Sequence, residues 1–189
     1  AGISGIQSYV TIRDSSSSSS SSTRNAYCGG IVGWAASGCS LYGTAMLGYI
    51  DFYGLGTNSG GGGLVGQLSG GAVIKESYAV YGTNPGGSFW LSRYAGGGLV
   101  GRVNNGKIIS SWSYLGIYLN SSSFSTKYKG GLVGYASSLT IYCAALYNST
   151  SIGYTYSVGN NSFSGSGASW LSAASFRRSS TFNSYMQND

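Results

Sequence analysis

The sequence predicts an all-β protein, a stacked β-repeat solenoid of the β-helix-like kind, and three observations carry that expectation. One glycine-bracketed pentapeptide occurs four times, as Gly29-Gly30-Ile31-Val32-Gly33, Gly62-Gly63-Leu64-Val65-Gly66, Gly97-Gly98-Leu99-Val100-Gly101 and Gly130-Gly131-Leu132-Val133-Gly134. The closing glycines fall 33, 35 and 33 residues apart, a period typical of small units that bury their apolar faces by stacking. The third observation is composition: 33 glycines, 17 tyrosines and 42% apolar residues, against only 7% charged. Helices are not built from Gly, Ser, Thr and Tyr, and disordered chains combine high net charge with few aromatics.

Taken in order, the chain opens with an extra strand. Ile6, Ser8, Val10 and Ile12 alternate with Gln7, Tyr9, Thr11 and Arg13, which predicts a half-buried strand over residues 6–13. Asp14 leads into Ser15, Ser16, Ser17, Ser18, Ser19, Ser20, Ser21 and Ser22, then Thr23. A flexible tract of about ten residues has an r.m.s. span on the order of 17 Å, so the strand could pair with its own repeats or with another subunit's. Two readings follow. Residues 1–24 are a degenerate zeroth repeat whose serines fill a loop, or Ile6, Val10 and Ile12 belong to an assembly strand donated to an identical neighbour.

Residues 25–158 form the repeat domain. Glycine pairs are expected to turn the chain at positive φ. The following Ile-Val or Leu-Val is expected to send one side chain to each face of a strand, and the closing glycine to admit a neighbouring backbone. A β-branched or aromatic segment follows three of the motifs: residues 72–78, 107–114 and 139–143, each with strand composition. Loops rich in Gly, Ser or Asn then return the chain to the next motif, often through a tyrosine such as Tyr27, Tyr94 or Tyr128. The first copy departs from this pattern, because residues 35–47 show no clear strand. Residues 159–189 are expected to be a degenerate last repeat and C-terminal tail, with Gly165 to Ser169 as a decayed pentapeptide.

With its four pentapeptides and the Ile-x-x-Ser-Tyr-like strand after them, the chain over residues 3–158 resembles the GLUG motif family, glycine-rich repeats of secreted and surface proteins that include adhesin-like members. The resemblance implies a β-repeat fold and an extracellular or cell-surface life, and it implies no reaction. The tail from Trp170 to Phe182 is similar to the connectors that follow the last unit in that family, which suggests a short helix.

Chemistry is marked mostly by absences. There is no histidine, and Asp14, Asp51, Glu76 and Asp189 are the only acids. Glycoside hydrolysis usually takes two carboxylates a few ångströms apart, whereas Asp51 and Glu76 lie at different distances past their motif glycines and would not share a register. No Ser-His-Asp triad can form, so no enzyme activity and no catalytic residue are expected. Zinc would need histidine or clustered cysteine, so neither metal nor cofactor is expected. The net charge of +6 is scattered, with only Arg177 and Arg178 adjacent, which gives no stripe for a phosphate backbone. No apolar run reaches the length of a membrane span, and the start lacks the regions of an export signal, so Ala1 is expected to be a mature end.

Modification and binding are better supported. Asn120, Asn148 and Asn160 open Asn-x-Ser/Thr sequons in polar loops, and the serine run with Thr23 offers O-glycan acceptors or else a bare flexible loop. Of three cysteines, Cys28 and Cys39 flank the first motif and are the candidate disulfide; the alternative is that all three, Cys143 included, are small buried hydrophobes. The tyrosines, with Trp34, Trp90, Trp112 and Trp170, are expected to form cross-strand ladders, the alternative being platforms for sugar rings. The reading as a whole is a glycosylated structural protein of a surface fibre, self-associating head to tail, with an adhesin-type glycan-binding module as the alternative.

Overall fold

The computed structural model describes residues 1–9, 11–13, 25–52, 58–81, 89–91, 95–114, 117–119, 128–142, 144–147, 158–159 and 168–171, and among these the regular structure is strand, with no helix. The first segment contributes Gly2–Ser4 (β1), Gln7–Ser8 (β2) and Thr11–Arg13 (β3). The first motif copy organises Tyr27–Gly29 (β4), Val32–Ala35 (β5), Ser40–Tyr42 (β6) and Ala45–Phe52 (β7). The second organises Gly60–Gly62 (β8), Val65–Lys75 (β9), Tyr78–Tyr81 (β10) and Phe89–Leu91 (β11). Then come Ala95–Gly97 (β12), Val100–Ile109 (β13), Trp112–Tyr114 (β14) and Ile117–Leu119 (β15). The last group is Tyr128–Gly130 (β16), Val133–Ala136 (β17), Leu139–Tyr142 (β18), Ala144–Tyr147 (β19) and Ala168–Leu171 (β20).

Among the described residues, all strand pairings are parallel, and they keep the motif spacing. Tyr27 lies opposite Gly60, Gly60 opposite Ala95, and Ala95 opposite Tyr128. Val32, Val65, Val100 and Val133 form a second row; Ala45, Tyr78, Trp112 and Ala145 form a third. Three sheets result: β4, β8, β12 and β16 in one; β1, β5, β6, β9, β13, β17 and β18 in another; the remaining strands in the third. The protein is therefore all-β with parallel sheets, an architecture compatible with a β-helix-like fold.

The motif places a bend between the first two sheets, and its glycines act there through the side chain they lack. A β-carbon added to Gly66 would strike the Cys28 amide nitrogen and lie 2.6 Å from the Gly33 carbonyl oxygen. On Gly134 it would lie 2.6 Å from the Gly101 carbonyl oxygen and 2.7 Å from the Gly96 carbonyl carbon. Sheets that carry side chains stack about 10 Å apart; here two backbones lie directly against each other. Of the motif glycines, Gly29, Gly30, Gly33, Gly62, Gly66, Gly97, Gly98, Gly101 and Gly134 all avoid the left-handed region. This corrects the expectation that the glycine pair turns the chain at positive φ.

The bend is held by a hydrogen-bond pattern that recurs three times. The Ile31 and Val32 amides both donate to the Leu64 carbonyl (3.0 and 3.1 Å), Leu64 and Val65 to Leu99 (2.9 and 3.0 Å), and Leu99 and Val100 to Leu132 (2.9 and 3.0 Å). Because the chain bends at the Leu, strand alternation is interrupted, and both residues of the pair turn inward. Leu64, Val65, Leu99, Val100, Leu132 and Val133 are all completely buried, which corrects the expectation of one side chain per face.

Left-handed residues are found at two other corners. Gly38, Gly71 and Asn105 (φ 74°, 81° and 63°) make one row, and Gly5, Gly43, Glu76 and Ser110 (φ 64°, 58°, 49° and 45°) make the other. At the second row the Gly43, Glu76 and Ser110 amides donate to the Lys75, Ile109 and Tyr142 carbonyls in turn. This corner splits the expected segments 72–78 and 107–114 into β9 with β10 and β13 with β14. Between the corners, side chains of similar shape line up in the core, as in the row Leu41, Ile74, Ile108 and Ile141.

Further expectations are corrected at both ends. Residues 35–47 do contain strand: β6 pairs with β9, and β7 begins at Ala45. Its small and polar residues hid it, although Leu41 sits in the core row. Of the expected decayed pentapeptide, residues 165–167 lie outside the described residues, while Ala168 and Ser169 belong to β20, which continues the third sheet beside β19; Trp170 accordingly lies in a strand rather than a helix. The fifth position of the motif row belongs to Val158 and Gly159: Val158 bridges Val133 in parallel and is 2% exposed. The Gly159 amide donates to the Val133 carbonyl (3.0 Å).

Gly66→Ala and Gly101→Ala, each forcing a methyl into a neighbouring backbone, are expected to lower stability by about 3 kcal/mol or more. Gly71→Ala meets no atom within 4 Å and is expected to cost only the left-handed penalty of about 1–2 kcal/mol. Equilibrium denaturation of the three variants checks the ranking.

Candidate functional site

Two features have functional potential: the strands that end the parallel ladder, and the outward surface of the second sheet, the long sheet because it holds the longest strands, β9 and β13. At one end the N-terminal segment lies along its own chain. β1 pairs with β6, and β2 and β3 pair with β7, while the Ser8 hydroxyl donates to the Gly30 carbonyl at 2.9 Å. Within one chain the segment thus lies where a zeroth repeat would. The left-handed turn at Gly5 divides the segment, so Ile6 is 45% exposed instead of facing inward. Ile12 packs partly buried against the core, and Val10 lies outside the described residues.

Asn120, Asn148, Asn160, Ser15 to Ser22, Thr23 and Cys143 also lie outside the described residues. Cys28 and Cys39 are half-buried and are not bridged to each other. Cys28 lies in β4; β5 then carries the chain away from it before the turn in which the Cys39 amide donates to the Ala36 carbonyl (3.0 Å). Of the two carboxylates, Glu76 occupies the left-handed corner and pairs with Lys75 at 3.7 Å. The Asp51 backbone lies in β7, in register with Arg13 and Trp90. They occupy different rows, as their spacing suggested.

The aromatics divide between ladder and surface. Tyr78 and Trp112 are register partners whose rings stack at 4.6 Å and 4°, an aromatic ladder as expected. Tyr27 meets Trp34 across the bend at 6.0 Å, and Tyr128 meets Tyr135 at 4.9 Å, with the Arg102 guanidinium 4.7 Å from the Tyr135 ring centre. Trp34, Tyr42 and Tyr142 remain about half exposed on the long sheet; the Trp34 indole donates to the Ser69 hydroxyl at 2.8 Å.

One polar feature was not identified from the sequence. Thr44, Ser77 and Ser111 form a buried row beside the left-handed corner. The Thr44 amide and hydroxyl both donate to Ser77 Oγ (3.1 Å each), Ser77 Oγ donates to the Lys75 carbonyl (2.8 Å), and the Ser77 amide donates to Ser111 Oγ (3.2 Å). The signal lay in their 33- and 34-residue spacing, masked by the abundance of serine. Among the described residues no group of His, Cys, Asp or Glu could hold a metal ion, and no helix is long and apolar enough to cross a membrane.

Comparison with protein-family models gives no match. Comparisons with curated proteins and with solved structures likewise find no similar protein.

Ser77→Ala leaves the buried Thr44 donors without their acceptor and is expected to cost about 1–3 kcal/mol, measurable by chemical denaturation. Burial holds the Lys129 ammonium below its ordinary value of 10.5. The folded chain therefore releases that proton before the unfolded chain does, and stability is expected to rise with pH in the alkaline window just below 10.5. The difference in unfolding free energy between wild type and Lys129→Met, followed against pH, should show that rise.

Proposed function

We propose that the chain is an extracellular structural repeat protein: a stacked β-repeat solenoid, glycosylated on its loops, that joins end to end as a subunit of a surface fibre. One observation carries the reading. Among the described residues the parallel ladder ends on β1 and β4 on one side and on β16 and β20 on the other, and a strand edge is a template for another strand. The two ends differ, so the contact is heterologous and propagates unless its rotation closes. The resemblance to GLUG repeats supports the extracellular setting and, with it, glycans at the sequons and the serine run. Because the N-terminal segment pairs within its own chain, the joint proposed is edge to edge rather than strand donation.

Half-exposed Trp34, Tyr42 and Tyr142 on the long sheet favour a second reading, an adhesin-type module that stacks aromatic rings on sugars. Sedimentation velocity over a wide concentration range, followed by negative-stain electron microscopy, separates the two. The fibre reading expects an open-ended series of oligomers that lengthen into filaments. A chain that remains monomeric throughout and binds a glycan array would replace it with the second.

A further inference from the structure

Folding gathers on one surface of the long sheet a positive charge that is scattered along the sequence. Past the left-handed corner at Gly38, Gly71 and Asn105, strands β6, β9, β13 and β18 lie side by side, with Leu41, Ile74, Ile108 and Ile141 turned into the core. Strand alternation turns their neighbours outward. Tyr42, Lys75, Ile109 and Tyr142 form one outward row, and Lys107 lies in the next, two residues before Ile109 on β13. None of the five is buried. A tyrosine thus stands on β6 and on β18, and a lysine on each of the two strands between them.

Tyr42 and Tyr142 are 49% and 56% exposed, and three strand spacings, about 14 Å, separate their positions. Each ring is a platform for the apolar face of a sugar. A chain that lies across both platforms must cover the strands between them, and there it meets Lys75 and Lys107. Covering an ammonium with neutral matter costs its hydration, whereas an anion placed against it offsets that loss. The four strands contain Lys75, Arg102 and Lys107 and no aspartate or glutamate. Glu76, at the corner after β9, pairs with Lys75 at 3.7 Å, but an ion pair this open to solvent is held weakly. With Glu76 counted, the surface is still net positive.

We propose that this surface binds an anionic polysaccharide, with sugar rings on Tyr42 and Tyr142 and carboxylate or sulfate groups on Lys75 and Lys107. A nucleic acid fits less well, because its affinity is built on a run of phosphate contacts and only two lysines lie between the rings. The proposal rests on the sugar-binding reading above and names the class of sugar. It applies equally to a single chain and to a subunit of a fibre.

Biolayer interferometry with the full chain tests it on four immobilised probes: polygalacturonate, its fully methyl-esterified form, dextran sulfate and a single-stranded oligothymidylate. Binding to an anionic polysaccharide is expected, and the first and third probes tell carboxylate from sulfate. The methyl ester keeps the sugar backbone without its charge and is expected to bind about tenfold more weakly or worse. Lys75→Gln with Lys107→Gln is expected to weaken anionic binding by about tenfold or more at an unchanged thermal midpoint, and Tyr42→Ala with Tyr142→Ala likewise to weaken it. Lys75→Arg with Lys107→Arg keeps the charge and is expected to keep binding. Arg177→Gln with Arg178→Gln removes as much charge elsewhere in the chain and is expected to leave binding unchanged. If that control weakens binding as much as the lysine pair does, or if the oligothymidylate binds as tightly through the same lysines, the assignment is overturned. If the methyl ester binds as well as polygalacturonate, the sugar-binding reading stands and the anionic class is wrong. If no polysaccharide binds, both fall.

Discussion

Two β backbones can touch only where no side chain lies between them, and that constraint decides how this chain is organised. At Gly66 and Gly134 a single methyl would be forced into the main chain of an earlier segment. Main chain cannot step aside as a flexible side chain can, so the glycine spacing and the strand spacing are locked together. The bend between the first two sheets inherits its shape from this contact. With the glycine arm pressed flat, the Leu and Val that follow have only one apolar region to enter, and both do.

The rest of the molecule tolerates much more variation. The left-handed corner before the third sheet holds Gly5, Gly43, Glu76 and Ser110, because a left-handed φ is disfavoured for an L residue but not forbidden. The core row through Leu41, Ile74, Ile108 and Ile141 asks only for a branched aliphatic. Register is least regular in the later part of the third sheet: Asp51 faces Trp90, 39 residues on, while Phe89 faces Ile117, 28 residues on. The sequence between that sheet and the next motif holds the serine run, Asn120 and Asn148, so the positions free to vary are also those suited to carry glycans on the fibre reading.

Much of the fold was legible because glycine contacts cannot be disguised. The four pentapeptides give the row spacing, and the β-branched segments after three of them give strands where the structure has them. Other features left a weaker trace. Residues 40–42, Ser-Leu-Tyr, are a strand for the sake of one inward leucine, and one apolar residue in three sets no period. Val158 and Gly159 retain only two letters of the motif, 25 residues after their counterparts instead of 33, so no fixed-period search would find them. The positive φ was assigned to the most conspicuous glycines, while the turns lie at Gly38, Gly71 and Asn105. For the candidate site, sequence reasoning selected the N-terminal segment, whereas the buried row of Thr44, Ser77 and Ser111 is visible only once the strand register is known.

The central claim is that successive glycine motifs lie side by side in parallel, with one segment's main chain against the next. Nuclear Overhauser contacts in isotopically labelled protein address it most directly. The account requires cross-peaks from the Gly66 α-protons to the Cys28 amide and from the Gly101 α-protons to the Gly61 amide, since the β-carbon positions of those glycines point at these nitrogens. Cross-peaks connecting the motifs in antiparallel order, or none between residues 33 to 40 apart, would contradict it.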